Sequence, residues 1–226
     1  MVESLYFVPQ WFYTIDIVLG ILFTIFTGIV ALYAFRIYRF TGEREFKLFG
    51  ISFTCLAISY IVRIWLNTFL TTFIASQKIL RISDVNLFSK SVIFAYVILF
   101  ISSYVTLAYT TLKVKGNRTY LLMLIPSIIA FTFSWNKSLT VYLITSLFLL
   151  AILYHYVRLY LRTYERRRLA MLLAIALLLA SNIIFMLVAD YGFYQGYIIS
   201  SIGELLAYAL IAFTLYRITQ HGKKAQ

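Results

Sequence analysis

The 226-residue sequence has little charge, only two prolines and a single cysteine. Only 12% of its residues are charged and 62% are hydrophobic, which is more apolar surface than a soluble domain of this length can bury. Lipid must therefore be the solvent for much of the chain. Because Cys55 stands alone, an intrachain disulfide and a thiolate metal site are excluded.

Few residues suit catalysis or cofactor binding. The chain has two histidines, and they are too scattered to form a haem pair or, with Cys55, a zinc site of the usual spacing. The motifs HExxH and GxSxG are absent. We therefore expect no catalytic residues, no metal and no enzymatic activity; a membrane enzyme with an unusual site is the alternative.

Seven apolar stretches are long enough to cross a bilayer, which takes about 20 residues at helical rise. None alternates between polar and apolar residues, so a β-barrel is not indicated. The predicted fold class is an all-α integral membrane protein, a seven-transmembrane helix bundle in one domain over residues 1–226. The predicted helices are 11–35, 48–73, 87–112, 119–135, 139–157, 169–190 and 196–216.

The distribution of lysine and arginine predicts the orientation. Fifteen of these 20 residues fall on one side of the predicted membrane, which indicates an N-terminus outside and a C-terminus inside a cell membrane. Although the net charge is +12, the basic residues form short clusters between apolar runs, so nucleic acid is not the expected partner. The basic segments are 36–47, 113–118, 158–168 and 217–226.

Two pairs of segments indicate an internal repeat. FRIYRFTGEREF (35–46) matches VRLYLRTYERRR (157–168) without gaps at an offset of 122 residues. YVTLAYTTLKV (104–114) matches YALIAFTLYRI (208–218) at an offset of 104 residues. The interpretation is a 3 + 1 + 3 parallel repeat, with the fourth helix as linker, unless the basic, aromatic loops resemble each other by convergence. Parallel repeats occur in transporters, which often place a site between them.

Two opposite charges fall deep within the predicted spans. Arg63 is about 24 Å from the inner boundary and Glu204 about 20 Å, counted along helices from Lys47 and Arg217. An unpaired central charge costs about 2.5–3.5 kcal/mol, so we expect Arg63 and Glu204 to pair, directly or through a bound molecule. The pair either fixes helix packing or forms a pocket that binds a small ligand or senses protons.

Other polar residues are candidates for the same site. Asn182 lies at mid-depth, where it either lines the same cavity or makes an interhelical hydrogen bond. Asp16, Lys90 and Asp190 are each about 30–34 Å from the inner boundary. This outer rim is either an ordinary interfacial belt or a vestibule above the deep pair.

Two surface features predict partners. Three arginines spaced four residues apart predict a cytoplasmic stripe that binds anionic lipid headgroups or a separate cytoplasmic signalling protein. These are Arg158, Arg162 and Arg166. Small residues at every fourth position of the first helix allow close helix approach, within the bundle or in a homodimer. These are Gly20, Thr24 and Gly28.

The segment GELLAYALIAFTLYRI (203–218) resembles the last helix of the seven-transmembrane sensor modules that precede histidine kinases in prokaryotes. This resemblance implies a receptor-like sensor in the cell membrane. The ten residues RITQHGKKAQ (217–226) are too few for an output domain, so the expected signal passes to a separate partner.

Two further resemblances frame the alternatives. Length, spans and orientation resemble microbial rhodopsins, but YIISSIGELLAYALIAFTLYRI (197–218) lacks the lysine that holds retinal, so no retinal is expected. The 3 + 1 + 3 arrangement resembles the SWEET and PQ-loop transporters. Those families have prolines within the helices of each repeat, whereas the two prolines of this chain, Pro9 and Pro126, do not occupy corresponding positions of the two repeats. The primary hypothesis is a sensor, the alternative is a small-solute transporter, and the third is a structural subunit of a membrane complex.

Overall fold

A computed structural model of the chain describes residues 13–76, 82–113, 116–163, 166–191 and 194–224. Within these ranges the chain forms seven α-helices. They are α1 (Tyr13–Thr41), α2 (Arg44–Ser76), α3 (Ile82–Thr111), α4 (Asn117–Phe133), α5 (Lys137–Thr163), α6 (Arg166–Tyr191) and α7 (Tyr194–Lys224).

Most of these helices extend beyond the apolar runs that predicted them. The first ends at Thr41 rather than at residue 35, and the fifth ends at Thr163 rather than at residue 157. The apolar count stops at the first charged residue, whereas arginine and lysine are good helix formers and continue the helix into the interface. The connections between helices are correspondingly short.

The turn between α1 and α2 consists of two residues, Gly42 and Glu43. Gly42 has a φ of 69°, in the left-handed region, and its N–H donates to the carbonyl of Tyr38 at 2.8 Å. Glycine adopts this conformation without a Cβ penalty, which is why it ends helices so often. The sequence TGE therefore stops α1 abruptly and sends the chain back as α2.

Six of the seven described helices are long and apolar enough to cross a membrane. The prediction of a multi-pass helical membrane bundle is confirmed at this level. The predicted fourth span corresponds to α4, a shorter apolar helix of 17 residues that continues through Pro126. At helical rise it is about 25 Å long, less than the roughly 30 Å of a typical hydrocarbon core.

The six long helices form a closed ring. Helix α1 packs against α2 and α7, α3 packs against α2 and α5, and α6 packs against α5 and α7. The order around the ring is therefore α1, α2, α3, α5, α6, α7. In the described part of the chain, α4 packs against α3 and α5, so it covers the outside of the seam between them.

The inside and outside of the ring differ in the manner expected for a protein in lipid. Its interior contains fully buried tyrosines and many buried serines, threonines and asparagines. Large apolar side chains such as Leu32, Trp65, Leu147 and Leu206 are exposed on its outside. Exposed apolar patches of this extent destabilise a protein in water, whereas lipid solvates them.

Of the two glycines among the regularly spaced small residues of α1, one is needed for packing within the bundle. A Cβ at Gly20 would lie 2.7 Å from Cγ1 of Ile64 on α2, so only glycine allows this approach. A Cβ at Gly28 would have nothing within 4 Å. The small residue at position 28 is thus not required by contacts within the described chain, and the homodimer remains a prediction.

Candidate functional site

Near one end of the ring interior, four polar side chains from three helices form an outer cluster. Asp16 lies on α1, Arg63 and Asn67 on α2, and Tyr197 on α7. Arg63 Nη2 donates to Asp16 Oδ1 at 2.6 Å, and Asn67 Nδ2 donates to Asp16 Oδ2 at 2.6 Å. The Tyr197 hydroxyl donates to Asp16 Oδ1 at 2.6 Å and accepts a hydrogen bond from Arg63.

This outer cluster compensates the charge of a buried carboxylate. The side chain of Asp16 is 5% exposed and that of Arg63 is 18% exposed, so the ion pair is largely withdrawn from solvent. The desolvation of such a pair is offset only when the remaining lone pairs also find donors. Asn67 and Tyr197 supply those donors, and Tyr96 of α3 lies beside Arg63.

A second group, the tyrosine cluster, surrounds Glu204 in the middle of the bundle. Glu204 Oε1 accepts hydrogen bonds from the hydroxyls of Tyr60 at 2.5 Å and Tyr208 at 2.7 Å. The hydroxyls of Tyr60 and Tyr208 are 3.0 Å apart, and those of Tyr104 and Tyr208 are 3.4 Å apart. The carboxyl thus joins α7 to α2, and Tyr208 extends the contacts to α3.

Glu204 differs from Asp16 in its partners. In the described residues, the ion pairs join Arg63 to Asp16 and Lys113 to Glu45, and Glu204 is bonded to hydroxyl groups. The charges of Arg63 and Asp16 cancel each other. Among the described residues, Glu204 is therefore the interior carboxyl that forms hydrogen bonds but no ion pair.

Aromatic rings enclose the tyrosine cluster. Phe23 packs against Tyr60 with a ring-centroid distance of 5.1 Å, and Phe53 meets the edge of Tyr208 at 6.2 Å. Phe100 meets the edge of Tyr60 at 6.4 Å. These rings exclude water, and a low local dielectric strengthens the hydrogen bonds around Glu204.

Asn182 extends the tyrosine cluster to the other side of the ring. Its side-chain oxygen accepts from Thr145 Oγ1 of α5 at 2.8 Å, and its Nδ2 donates to the Leu178 carbonyl at 3.0 Å. Its amide also lies beside the Tyr104 hydroxyl. Polar contacts therefore run across the bundle in the order Thr145, Asn182, Tyr104, Tyr208, Glu204 and Tyr60.

Helical periodicity places these residues on the inner faces of their helices. On α2, Tyr60, Arg63 and Asn67 are three and four positions apart. On α7, Tyr197 precedes Glu204 by two turns, and one further turn leads to Tyr208. Such spacings align side chains on one helix face. Seven residues of helix separate Tyr197 from Glu204, so the two clusters are about 10 Å apart along α7.

The structure pairs Arg63 with Asp16, whereas the sequence predicted a pair with Glu204. The residue count placed Asp16 at the outer boundary, four residues farther out than Arg63, which is about 6 Å. The long stem of arginine bridges that difference. An interaction of Arg63 with Glu204 through a bound molecule is not tested by the structure and stays a prediction.

The other predicted residues are dispersed. Lys90 is exposed on α3, whereas Asp16 is buried in the outer cluster, and the predicted belt or vestibule at the outer rim stays a prediction. The side chain of Asp190 lies outside the described residues. The predicted arginine stripe is divided between two helices, because α5 ends at Thr163 and α6 begins at Arg166. The first two arginines of the stripe are exposed on α5, and the third is the first residue of α6. These are Arg158, Arg162 and Arg166, and the side chain of the last lies outside the described residues.

Sequence reasoning did not assign four of the tyrosines and one asparagine of the two clusters to the site. The available signal was helical spacing, since Tyr60 is three residues before Arg63 and Tyr208 is four residues after Glu204. Tyr104 and Tyr208 begin the two segments that match at an offset of 104 residues, but that match did not assign them to the site. The missed residues are Tyr60, Asn67, Tyr104, Tyr197 and Tyr208.

Comparison of the chain with protein-family models, with curated proteins and with solved structures found no match. Among the described residues, no three His, Cys, Asp or Glu side chains come together as a metal site. The fold and site together define a multi-pass α-helical membrane protein with a hydrogen-bonded, charged interior. Its chemistry is that of carboxylates, one guanidinium and phenol hydroxyls.

Proposed function

We propose that the protein is a receptor-like sensor of the cell membrane that binds a small polar ligand through the outer cluster and Glu204. The observation that carries this proposal is the concentration of charged side chains at these two places, in a bundle interior whose other described residues are apolar or uncharged polar. Intramembrane ionisable residues are costly and usually mark a site. With the N-terminus outside, as the basic segments indicate, the outer cluster faces the exterior of the cell.

Asp16 supports a mechanism for signal transmission. Its carboxylate holds α1 to α2 through Arg63 and Asn67, and to α7 through Tyr197. A ligand that competes for the carboxylate or the guanidinium loosens α1 from both neighbours. Helices are rigid enough to carry such a displacement to their opposite ends.

The opposite ends of the helices offer an output surface. Lys113 and Glu45 form an exposed ion pair at 2.9 Å between the turn after α3 and the first turn of α2. Arg158 and Arg162 are exposed near the end of α5. The proposed contacts of this basic surface are anionic lipid headgroups and a separate cytoplasmic signalling protein.

A thermal-unfolding screen tests the sensor proposal. The purified protein is heated with millimolar amines, amino acids or carboxylates, alongside the Asp16→Asn variant and the control variant Arg162→Gln. We expect at least one compound to raise the unfolding midpoint of the wild type and of Arg162→Gln but not of Asp16→Asn, because only a bound native state is stabilised. Equal shifts in all three proteins, or no shift with any compound, contradict the proposal.

A small-solute transporter is the second candidate, and one specific observation favours it. The chain of polar contacts from Thr145 to Tyr60 crosses from α5 and α6 to α2, so it joins the two three-helix arcs of the ring. Transporters with parallel repeats place their sites at such an interface. Uptake of labelled solutes into proteoliposomes, lost in Glu204→Gln, distinguishes transport from sensing.

A further inference from the structure

The order of helices around the ring has a regularity of its own. Advancing three places converts α1, α2 and α3 into α5, α6 and α7, and converts α5, α6 and α7 into α1, α2 and α3. Each half of the ring therefore runs through three consecutive helices in the same chain order. In the described residues, α4 alone has no counterpart under this operation.

The two sequence offsets place equivalent residues at the centre of the ring. The offset of 104 residues relates Tyr104 of α3 to Tyr208 of α7, and their hydroxyls are 3.4 Å apart. Helices α3 and α7 stand opposite each other in the ring. Two equivalent residues touch across such a ring only if both lie next to the symmetry axis, so the axis passes between these two hydroxyls.

The contacts around this axis also come in equivalent pairs. The offset of 122 residues relates Tyr60 of α2 to Asn182 of α6. Tyr60 contacts the hydroxyl of Tyr208, and Asn182 lies beside the hydroxyl of Tyr104. The same offset relates Phe23 to Thr145; Phe23 packs on Tyr60, and Thr145 bonds to Asn182.

Burial follows the same two offsets. Matched residues are buried together at positions 30 and 152, 53 and 175, 56 and 178, 59 and 181, 107 and 211, and 108 and 212. Matched large side chains are exposed together at positions 21 and 143, 25 and 147, 32 and 154, 51 and 173, 61 and 183, and 65 and 187. The correspondence therefore covers both faces of the helices as well as the central contacts.

We infer that α1–α3 and α5–α7 are two copies of one three-helix unit, packed about an approximate two-fold axis, and that the tyrosine cluster, with Asn182, is built on this axis from matched positions of both copies. The charged residues are the departures from this symmetry. Glu204 corresponds to Phe100, and Arg63 corresponds to Phe185. The second copy of the Glu204 environment is thus a neutral one, formed by Asn182 and Tyr104.

Moving the carboxyl to the matched position tests the inference. The double variant Glu204→Phe with Phe100→Glu places the carboxyl beside Asn182 and Tyr104, which match Tyr60 and Tyr208. Because the ring of Phe100 also contacts Tyr60, this variant and its control both carry Tyr60→Phe, which removes the original hydroxyl donor. The control double variant, Glu204→Phe with Val97→Glu, moves it to another buried position of α3. We expect the first variant to unfold at least about 5 °C above the control, because only there does the carboxyl regain donors. Equal midpoints, or a lower midpoint for the first variant, overturn the inference.

Disulfide formation tests the same inference with small substitutions that keep the fold. Ser52 of α2 donates to the carbonyl of Ser103 of α3 at 2.9 Å, and the matched residues of the other copy are Ala174 and Ala207, both buried. In a Cys55→Ser background, cysteines at 52 and 103 and cysteines at 174 and 207 should form disulfides at comparable rates. Oxidation of the first pair without the second contradicts the two-fold relationship.

Discussion

The guanidinium of Arg63 donates to the carboxylate of Asp16 at 2.6 Å, and this ion pair joins α2 to α1 inside the helix ring. Because Tyr197 of α7 bonds to both partners, three consecutive helices of the ring meet at one carboxylate. The intramembrane arginine therefore has its partner within the protein. The pair holds α2 to α1 and, through Tyr197, to α7.

The hydroxyls that bond to Glu204 should contribute measurably to stability. Tyr60→Phe and Tyr208→Phe each remove one donor to Glu204 Oε1 and leave the ring packing intact. We expect each variant to lose about 1–3 kcal/mol of unfolding free energy, measured by denaturant titration in mixed micelles. The matched control is Tyr154→Phe, whose side chain is exposed on α5 and which should change stability by less than about 0.5 kcal/mol.

Because α1 and α2 approach closely at Gly50 and not at Gly28, alanine should destabilise the protein at the first position and be tolerated at the second. A Cβ at Gly50 would lie 2.9 Å from the ring of Phe35, whereas a Cβ at Gly28 would meet nothing within 4 Å. We expect Gly50→Ala to lower the unfolding free energy by about 1–3 kcal/mol through overpacking. Gly28→Ala should leave stability unchanged or raise it by up to about 1 kcal/mol, since alanine favours helix. Similar losses in both variants would disagree with the packing of α1 and α2.

The orientation should be visible in cysteine labelling. In a Cys55→Ser background, Asn117→Cys and Lys137→Cys place thiols at the first residues of α4 and α5. If α4 crosses the membrane as the basic segments predict, an impermeant maleimide added to intact cells labels position 137 and not position 117. Labelling of both positions, or of neither, would show that α4 does not cross.

Hydropathy predicted the helices well because a segment that crosses the lipid must be apolar over about 20 residues, and such long apolar stretches are easily recognised in a sequence. It placed α4 among the spans because a run of 17 residues lies at the short end of what a membrane requires. It missed the last turns of α1 and α5 because charged residues end an apolar run without ending a helix.

Side-chain partners were harder to predict than helices. Counting residues gave the depth of Arg63 in the membrane but not which neighbouring helix its side chain faces. The choice between Asp16 and Glu204 as its partner depends on that neighbour. That neighbour is α1, which places Asp16 within reach. The segments that match at an offset of 104 residues begin with Tyr104 and Tyr208, whose hydroxyls are 3.4 Å apart in the structure, although the sequence did not assign either to the site.

The most direct test of the account is a double-mutant cycle on the ion pair, with unfolding free energies measured in mixed micelles. Asp16→Asn and Arg63→Gln should each cost about 3 kcal/mol because each leaves a buried charge without its partner, and the double variant should cost much less than their sum. The exposed pair of Lys113 and Glu45 is the control, with a coupling below about 1 kcal/mol. A coupling of about 2 kcal/mol or more between Asp16 and Arg63 is the predicted result. Additive effects of the two substitutions would contradict a buried pair that holds α1, α2 and α7 together.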